Sequence, residues 1–205
     1  MDDGTVYFPD YGGSSVFNDT SGNLRAVNAR TGQVLWSHPV GSYLGFPANS
    51  RTSPAVFGHE LIFGDTSAPG HGAFILAVDR YTGALLWKTH VETHPAAIST
   101  SSPVIYRGVA YMGISSAEQG LTSCCSFRGS VLALNATTGQ ILWKTYTVPA
   151  GYTGGGVWGS TPAVDPANNM LYVGTGPNYS VPAGVCSKPD QTDCSHPAAD
   201  DHFDS

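Results

Sequence analysis

The sequence predicts an all-β fold: a partial β-propeller of four-stranded antiparallel blades, about three and a half of them. Three observations carry this. An eleven-residue unit, Ala26-Val27-Asn28-Ala29-Arg30-Thr31-Gly32-Gln33-Val34-Leu35-Trp36, returns without gaps at residues 77–87 and 133–143. A second unit, Ser53-Pro54-Ala55-Val56, has counterparts at residues 102–105 and 161–164. The 25 glycines and 14 prolines, with no sustained helical apolar period in any ten-residue window, leave strands and turns as the elements.

In each copy of the first unit, apolar residues precede Asn28, Asp79 or Asn135, a Thr-Gly pair turns the chain, and an apolar run ends in Trp36, Trp87 or Trp143. This is a β-hairpin pattern, with glycine supplying the positive φ of the turn. The second unit leads through a short turn into apolar strands at 61–64, 109–114 and 170–174. Together they make four strands per unit, with tryptophans 51 and 56 residues apart, a spacing that suits propeller blades lengthened by loops. The whole chain, 1–205, reads as one partial propeller, with blade pieces at about 1–40, 50–92, 99–148 and 158–205. Thr5-Val6-Tyr7-Phe8 reads as a second strand without its first, and the last blade stops after two, which makes 13 strands. A ring cut in this way has two open edges, so the chain is expected to be a piece of a longer protein or to self-associate. The repeated tryptophans are expected to pack between blades rather than to hold a ligand.

Nine Lys and Arg are scattered singly in a chain of net charge −6, so no basic stripe exists for a nucleic-acid backbone. No run of 18 apolar residues is present to span a membrane, and the acidic start Met1-Asp2-Asp3 is unlike a signal peptide. The adjacent pair Cys124-Cys125 and the close pair Cys186 and Cys194 suit an oxidising compartment. The expectation that reconciles these is a parent protein that is periplasmic or secreted. The polar stretch 182–201 reads as an insertion clipped by Cys186 and Cys194.

The repeat Thr-Gly-x-x-x-Trp resembles the tryptophan-docking motif of dehydrogenases that use pyrroloquinoline quinone (PQQ). With Cys124-Cys125-Ser126-Phe127-Arg128-Gly129-Ser130, the chain is most similar to polyvinyl-alcohol dehydrogenases and their plant-like relatives. The resemblance implies a ring of eight blades, PQQ and Ca²⁺ as cofactors, and a small-molecule or polymeric alcohol as substrate. It also implies residue roles. Ser115, Ser116 and Ala117 contact PQQ, and Glu118 supplies a hard oxygen to Ca²⁺; the alternative is a solvated loop glutamate. Thr100 hydrogen-bonds the cofactor, and Arg51 pairs with a PQQ carboxylate through a planar guanidinium. Trp158, among glycines, stacks on the quinone. Cys124 and Cys125 form a vicinal disulfide near PQQ, or else separate disulfides or free thiols. Arg128 faces the site, or makes an ordinary surface ion pair.

Where the family shows Gly-Asn with asparagine on Ca²⁺, this chain has Gly176-Pro177-Asn178, so Asn178 must take that place. The aspartate base and its basic partner come from later blades in the family, so no catalytic residue is assigned. No Cys-x-x-Cys-His is present for haem c. The competing expectation is a non-catalytic propeller that keeps the repeat as a protein-interaction scaffold.

Overall fold

A computed structural model describes residues 3–12, 21–67, 69–120, 124–180 and 182. The first blade is a three-stranded meander of β1 (Thr5–Pro9), β2 (Asn23–Asn28) and β3 (Val34–Pro39), followed by a short helix, α1 (Val40–Leu44). The second holds β4 (Ala48–Asn49), β5 (Ala55–Phe57), β6 (Glu60–Gly64), β7 (Thr66–Ser67), β8 (Ala73–Asp79) and β9 (Leu85–Glu92). Its main sheet runs β5-β6-β8-β9, and β4 pairs with β7 above it. The third runs β10 (Ala97–Ile98), β12 (Val109–Ser116), β13 (Ser130–Asn135) and β14 (Ile141–Tyr146), with β11 (Val104–Tyr106) also on β12. The last contains β15 (Thr153–Gly154), β16 (Ala163–Asp165), β17 (Met170–Tyr172) and β18 (Asn178–Ser180), paired β15-β18 and β16-β17. All ladders between named strands are antiparallel.

The three hairpins repeat in detail. Trp36, Trp87 and Trp143 lie opposite Ala26, Ala77 and Ala133, and a register shift follows at once in each. The Asn or Asp of the repeat folds its turn: Asn28 Oδ1 accepts the Arg30 and Thr31 N–H, Asp79 Oδ1 those of Tyr81 and Thr82, and Asn135 Oδ1 those of Thr137 and Thr138. Such side chains stand in for backbone acceptors in turns.

The indoles join one blade to the next. Trp36 Nε1 donates to Arg80 O at 3.0 Å, and Trp87 Nε1 donates to Ala136 O at 3.2 Å. Each ring lies against the turn glycine of the following blade, where a Cβ on Gly83 would come within 3.0 Å of Trp36 Cε3 and one on Gly139 within 2.4 Å of Trp87 Cε3. Trp143, with no such hairpin beyond it among the described residues, is 41 % exposed. Apolar cores fill the gaps between blades: Leu24, Leu61, Phe63 and Leu76 between the first two, and Ile75, Met112, Phe127 and Leu132 between the next two.

Two features depart from the sequence reading. Among the described residues, the 13 expected strands arrive as 18 segments, because the two inner strands of the second and fourth blades and the innermost strand of the third are interrupted. Pro54, Pro103, Pro162 and Pro177 stand at four of these five interruptions and lack the N–H that a continuous ladder needs. In the second blade, hydroxyls take over the missing bonds: Ser50 Oγ donates to Gly64 O at 2.6 Å and Thr52 Oγ1 accepts the Gly64 N–H at 3.0 Å. The second departure is α1. Its five residues are too few to show a period, and it buries Val40, Tyr43 and Leu44 before Gly45, at φ 90°, ends it.

Candidate cofactor site

The interrupted inner strands place the candidate residues. Residues 50–54, 99–103 and 155–162 leave the ladder at corresponding points of three consecutive blades, so their side chains are freed from strand pairing. Arg51, Thr100 and Trp158 meet there. The Arg51 guanidinium carbon lies 5.4 Å from the centroid of the Trp158 ring, in cation–π contact. Thr100 Oγ1 donates to the Trp158 carbonyl, and the neighbouring Ser101 Oγ donates to Ser160 O at 2.6 Å. Trp158 itself is 38 % exposed.

Tyr11, which no motif singles out, joins this group. Its hydroxyl is buried with no hydrogen-bond partner among the described residues. Burial pushes the phenol pKa up, and the charge of nearby Arg51 opposes the rise without cancelling it.

Ser115 and Ser116 sit at the end of β12, paired with Ile98 and Ala97 of β10. Both are buried. Gly156 closes over Ser115, so that a Cβ there would come within 2.5 Å of Ser115 Oγ, and Ser116 hydrogen-bonds the Tyr179 hydroxyl. The Ala117 N–H donates to Ala96 O, and a single 3-10 turn, Glu118–Gly120, follows. The Cys124 and Cys125 sulfurs sit side by side across a cis peptide bond.

A cavity of about 360 Å³ opens beside them, lined in part by Glu118, Cys124, Cys125, Ser126 and His94. His94 is a second residue that the sequence did not single out. It stands in a Thr-His-Pro turn before β10, without any recognisable motif. Its Nε2 lies 3.0 Å from Ser126 Oγ and 3.4 Å from Glu118 Oε1.

Two candidates lie in other surroundings. Arg128 turns its guanidinium over the Tyr146 ring at 4.0 Å and donates to Val148 O at 2.6 Å. Its Nε is buried with no hydrogen-bond partner among the described residues. Asn178, on β18, keeps a buried Oδ1 with no partner among the described residues. Cys186 and Cys194 lie outside the described residues.

A family profile described as outer membrane protein assembly factor BamB, a PQQ-type repeat, matches residues 45–155, more than half of the chain. The chain belongs to this family of PQQ-repeat propellers. Among sequence relatives, the polyvinylalcohol dehydrogenase of Sphingopyxis sp. (strain 113P3) is 35 % identical over 189 residues, covering 78 % of this chain and 27 % of that protein. A polyvinylalcohol dehydrogenase of Pseudomonas sp is 33 % identical over 187 residues, covering 78 % and 28 %. The quinohemoprotein alcohol dehydrogenase from Comamonas testosteroni superposes with a TM-score of 0.61 at 21 % identity, over 86 % of this chain and 28 % of that one. At that identity the superposition shows the fold, a quinoprotein-type β-propeller. The chain thus spans about a quarter of the length of the relatives it matches.

The PQQ-repeat propellers for which the family is named raise the question of cofactor fit. A planar polycarboxylate quinone needs a cation, an aromatic plate and hydrogen-bond donors. Arg51, Trp158 and Thr100 provide these from three blades, and the Tyr11 hydroxyl is a buried donor without a partner, so the group fits PQQ. A Ca²⁺ site built on Glu118 fits poorly. Both Glu118 oxygens already accept N–H groups, of Ser126 and Phe127, and among the described residues no group of three or more His, Cys, Asp or Glu converges on an ion. Of the two candidate calcium donors, Glu118 and Asn178, it is Asn178 that keeps an oxygen, Oδ1, without a partner among the described residues.

Proposed function

We propose that this chain is the cofactor-binding part of a PQQ-dependent alcohol dehydrogenase, acting on an alcohol of the polyvinyl-alcohol class. One observation carries the reading: Arg51 and Trp158, from the second and fourth blades, meet with Thr100 of the third between them. Arg51 would hold a carboxylate of PQQ and Trp158 would support its ring plane. Bound PQQ supplies the two-electron oxidising capacity. The chain's own residues bind and orient it, and no general base for the alcohol proton is assigned to them. Calcium, if the parent enzyme uses it, is proposed to find a donor in Asn178 Oδ1 rather than in Glu118. An oxidising compartment, periplasmic or secreted, is the proposed location, supported by the adjacent cysteines. Among the described residues no helix is long and apolar enough to cross a membrane.

The test is quenching of tryptophan fluorescence by added PQQ. The chain is expected to bind, and Arg51→Ala to weaken binding roughly ten- to hundredfold, the usual cost of a lost charge-assisted hydrogen bond. Equal affinity of the two proteins would refute the assignment. A second reading, a scaffold for protein contacts, is favoured by the description of the matching family profile. Absence of any PQQ binding in the same titration would support it.

A further inference from the structure

We infer that Glu118 is a positioning residue that clamps the double-cysteine loop, with His94 as its polar neighbour, rather than a calcium ligand. The carboxylate is 3 % exposed and receives three donors from one short stretch of chain. Oε1 accepts the Ser126 N–H at 2.9 Å and the Ser126 hydroxyl at 3.1 Å, and Oε2 accepts the Phe127 N–H at 2.9 Å. His94 completes the ring of donors. Its Nδ1 accepts the Ala96 N–H at 3.2 Å, so Nε2 carries a proton and turns it toward Ser126 Oγ and Glu118 Oε1.

The clamp acts on a stretch without strand pairing. Residues 124–127 belong to no strand, and the Ser126 amide is fixed by Glu118. Phe127 then plugs into the core, 1 % exposed and edge-on to the His94 ring at 5.5 Å, and its carbonyl accepts the Gly154 N–H at 2.8 Å. Cys124 and Cys125 immediately precede this anchor and line the cavity beside it. Their placement therefore depends on the carboxylate eight residues before Ser126.

The same geometry disfavours an ion. Ca²⁺ gathers six to eight oxygens at about 2.3–2.6 Å. Around Glu118, N–H and O–H groups aim the positive ends of their dipoles at the carboxylate, and a cation entering there would face them and the His94 N–H. The donors do for this buried charge what a metal would do elsewhere, since several N–H bonds suffice to stabilise a buried carboxylate.

Hydrogen–deuterium exchange of the purified 205-residue chain, with millimolar Ca²⁺ or with chelator, tests the clamp without any need for enzyme activity. Wild-type exchange at the Ser126 and Phe127 amides is expected to be the same in both solutions. Glu118→Gln should speed exchange there roughly ten- to hundredfold, and should speed reduction of the Cys124–Cys125 pair by a phosphine, with amides of β13 such as Leu132 and Leu134 unchanged. If Glu118→Gln raises exchange everywhere, Ser126→Ala decides instead: it removes one donor only and should raise exchange locally by a smaller factor. Calcium-dependent protection of Ser126 and Phe127 in the wild type, calcium binding that Glu118→Gln abolishes, or unchanged exchange in both variants would each overturn the inference.

Discussion

Asp65 offers a sharp test of how burial governs this fold. It lies between β6 and β7, fully buried, where its Oδ1 accepts the Phe74 N–H and so bridges a gap in the ladder. Oδ2 has no hydrogen-bond partner among the described residues. Burial pushes its pKa from 3.8 up to about 7, against the opposing bonds from Phe74 and Ser67. A folded-state value above the unfolded one means that the folded chain binds more protons between the two. Stability from this group is therefore fully present below about pH 4 and is lost as pH rises through about 7. A rise of about three units corresponds to roughly 4 kcal/mol, a large share of an ordinary domain's stability. Asp65→Asn keeps the oxygen that serves Phe74 and removes the ionisation. Urea unfolding at pH 4.5, 6 and 8 should show the variant gaining on the wild type as pH rises, and exceeding it by a few kcal/mol at pH 8. A difference between the two proteins that stays flat across this range would refute the reasoning.

Other consequences are as direct. Gly32 and Gly139 occupy the same turn position at φ 73° and 72°, but a Cβ on Gly32 meets nothing within 4 Å, whereas one on Gly139 meets Trp87. Gly32→Ala should cost about 1–2 kcal/mol from backbone conformation and Gly139→Ala about 2–4 kcal/mol with overpacking added, read from urea midpoints; equal costs would mean that the indole yields freely. Burial raises the Glu92 carboxyl, but the Lys144 ammonium, at 2.5 Å, together with the His94 and Thr93 N–H groups, outweighs it and holds the pKa below the usual value. Glu92→Gln should therefore destabilise at pH 7 by about 1–3 kcal/mol and progressively less as pH falls below 4; a pH-independent loss would contradict the pairing. β17 pairs only with β16 among the described residues and exposes Met170 and Tyr172. The chain should self-associate at micromolar concentration in light scattering, and Tyr172→Lys should shift it toward monomer, since a charge blunts an open edge; a monomeric wild type would remove the basis for this.

What the sequence alone determined was the local, repeated part. Asn28, Asp79 and Asn135 with their Thr-Gly turns act within a few residues of themselves, so the three hairpins and their tryptophans were legible wherever the motif occurred. The inner strands were half legible: Ser-Pro marks β5 and β11, but β4, β10 and β15 are two residues long and exist only because neighbouring strands offer them a ladder. Arg51, Thr100 and Trp158 could be chosen from a resemblance, yet no spacing in the chain says that residues 107 positions apart touch. Blade packing decided that, by bringing three corresponding strand interruptions together. Tyr11 and His94 had no signal at all, because each matters only through what folds against it. Glu118 shows the limit most plainly. Its motif implied a metal ligand, while the tertiary structure surrounds its carboxylate with the N–H groups of Ser126 and Phe127, and a buried charge takes whichever stabilising partners the fold places within hydrogen-bond reach.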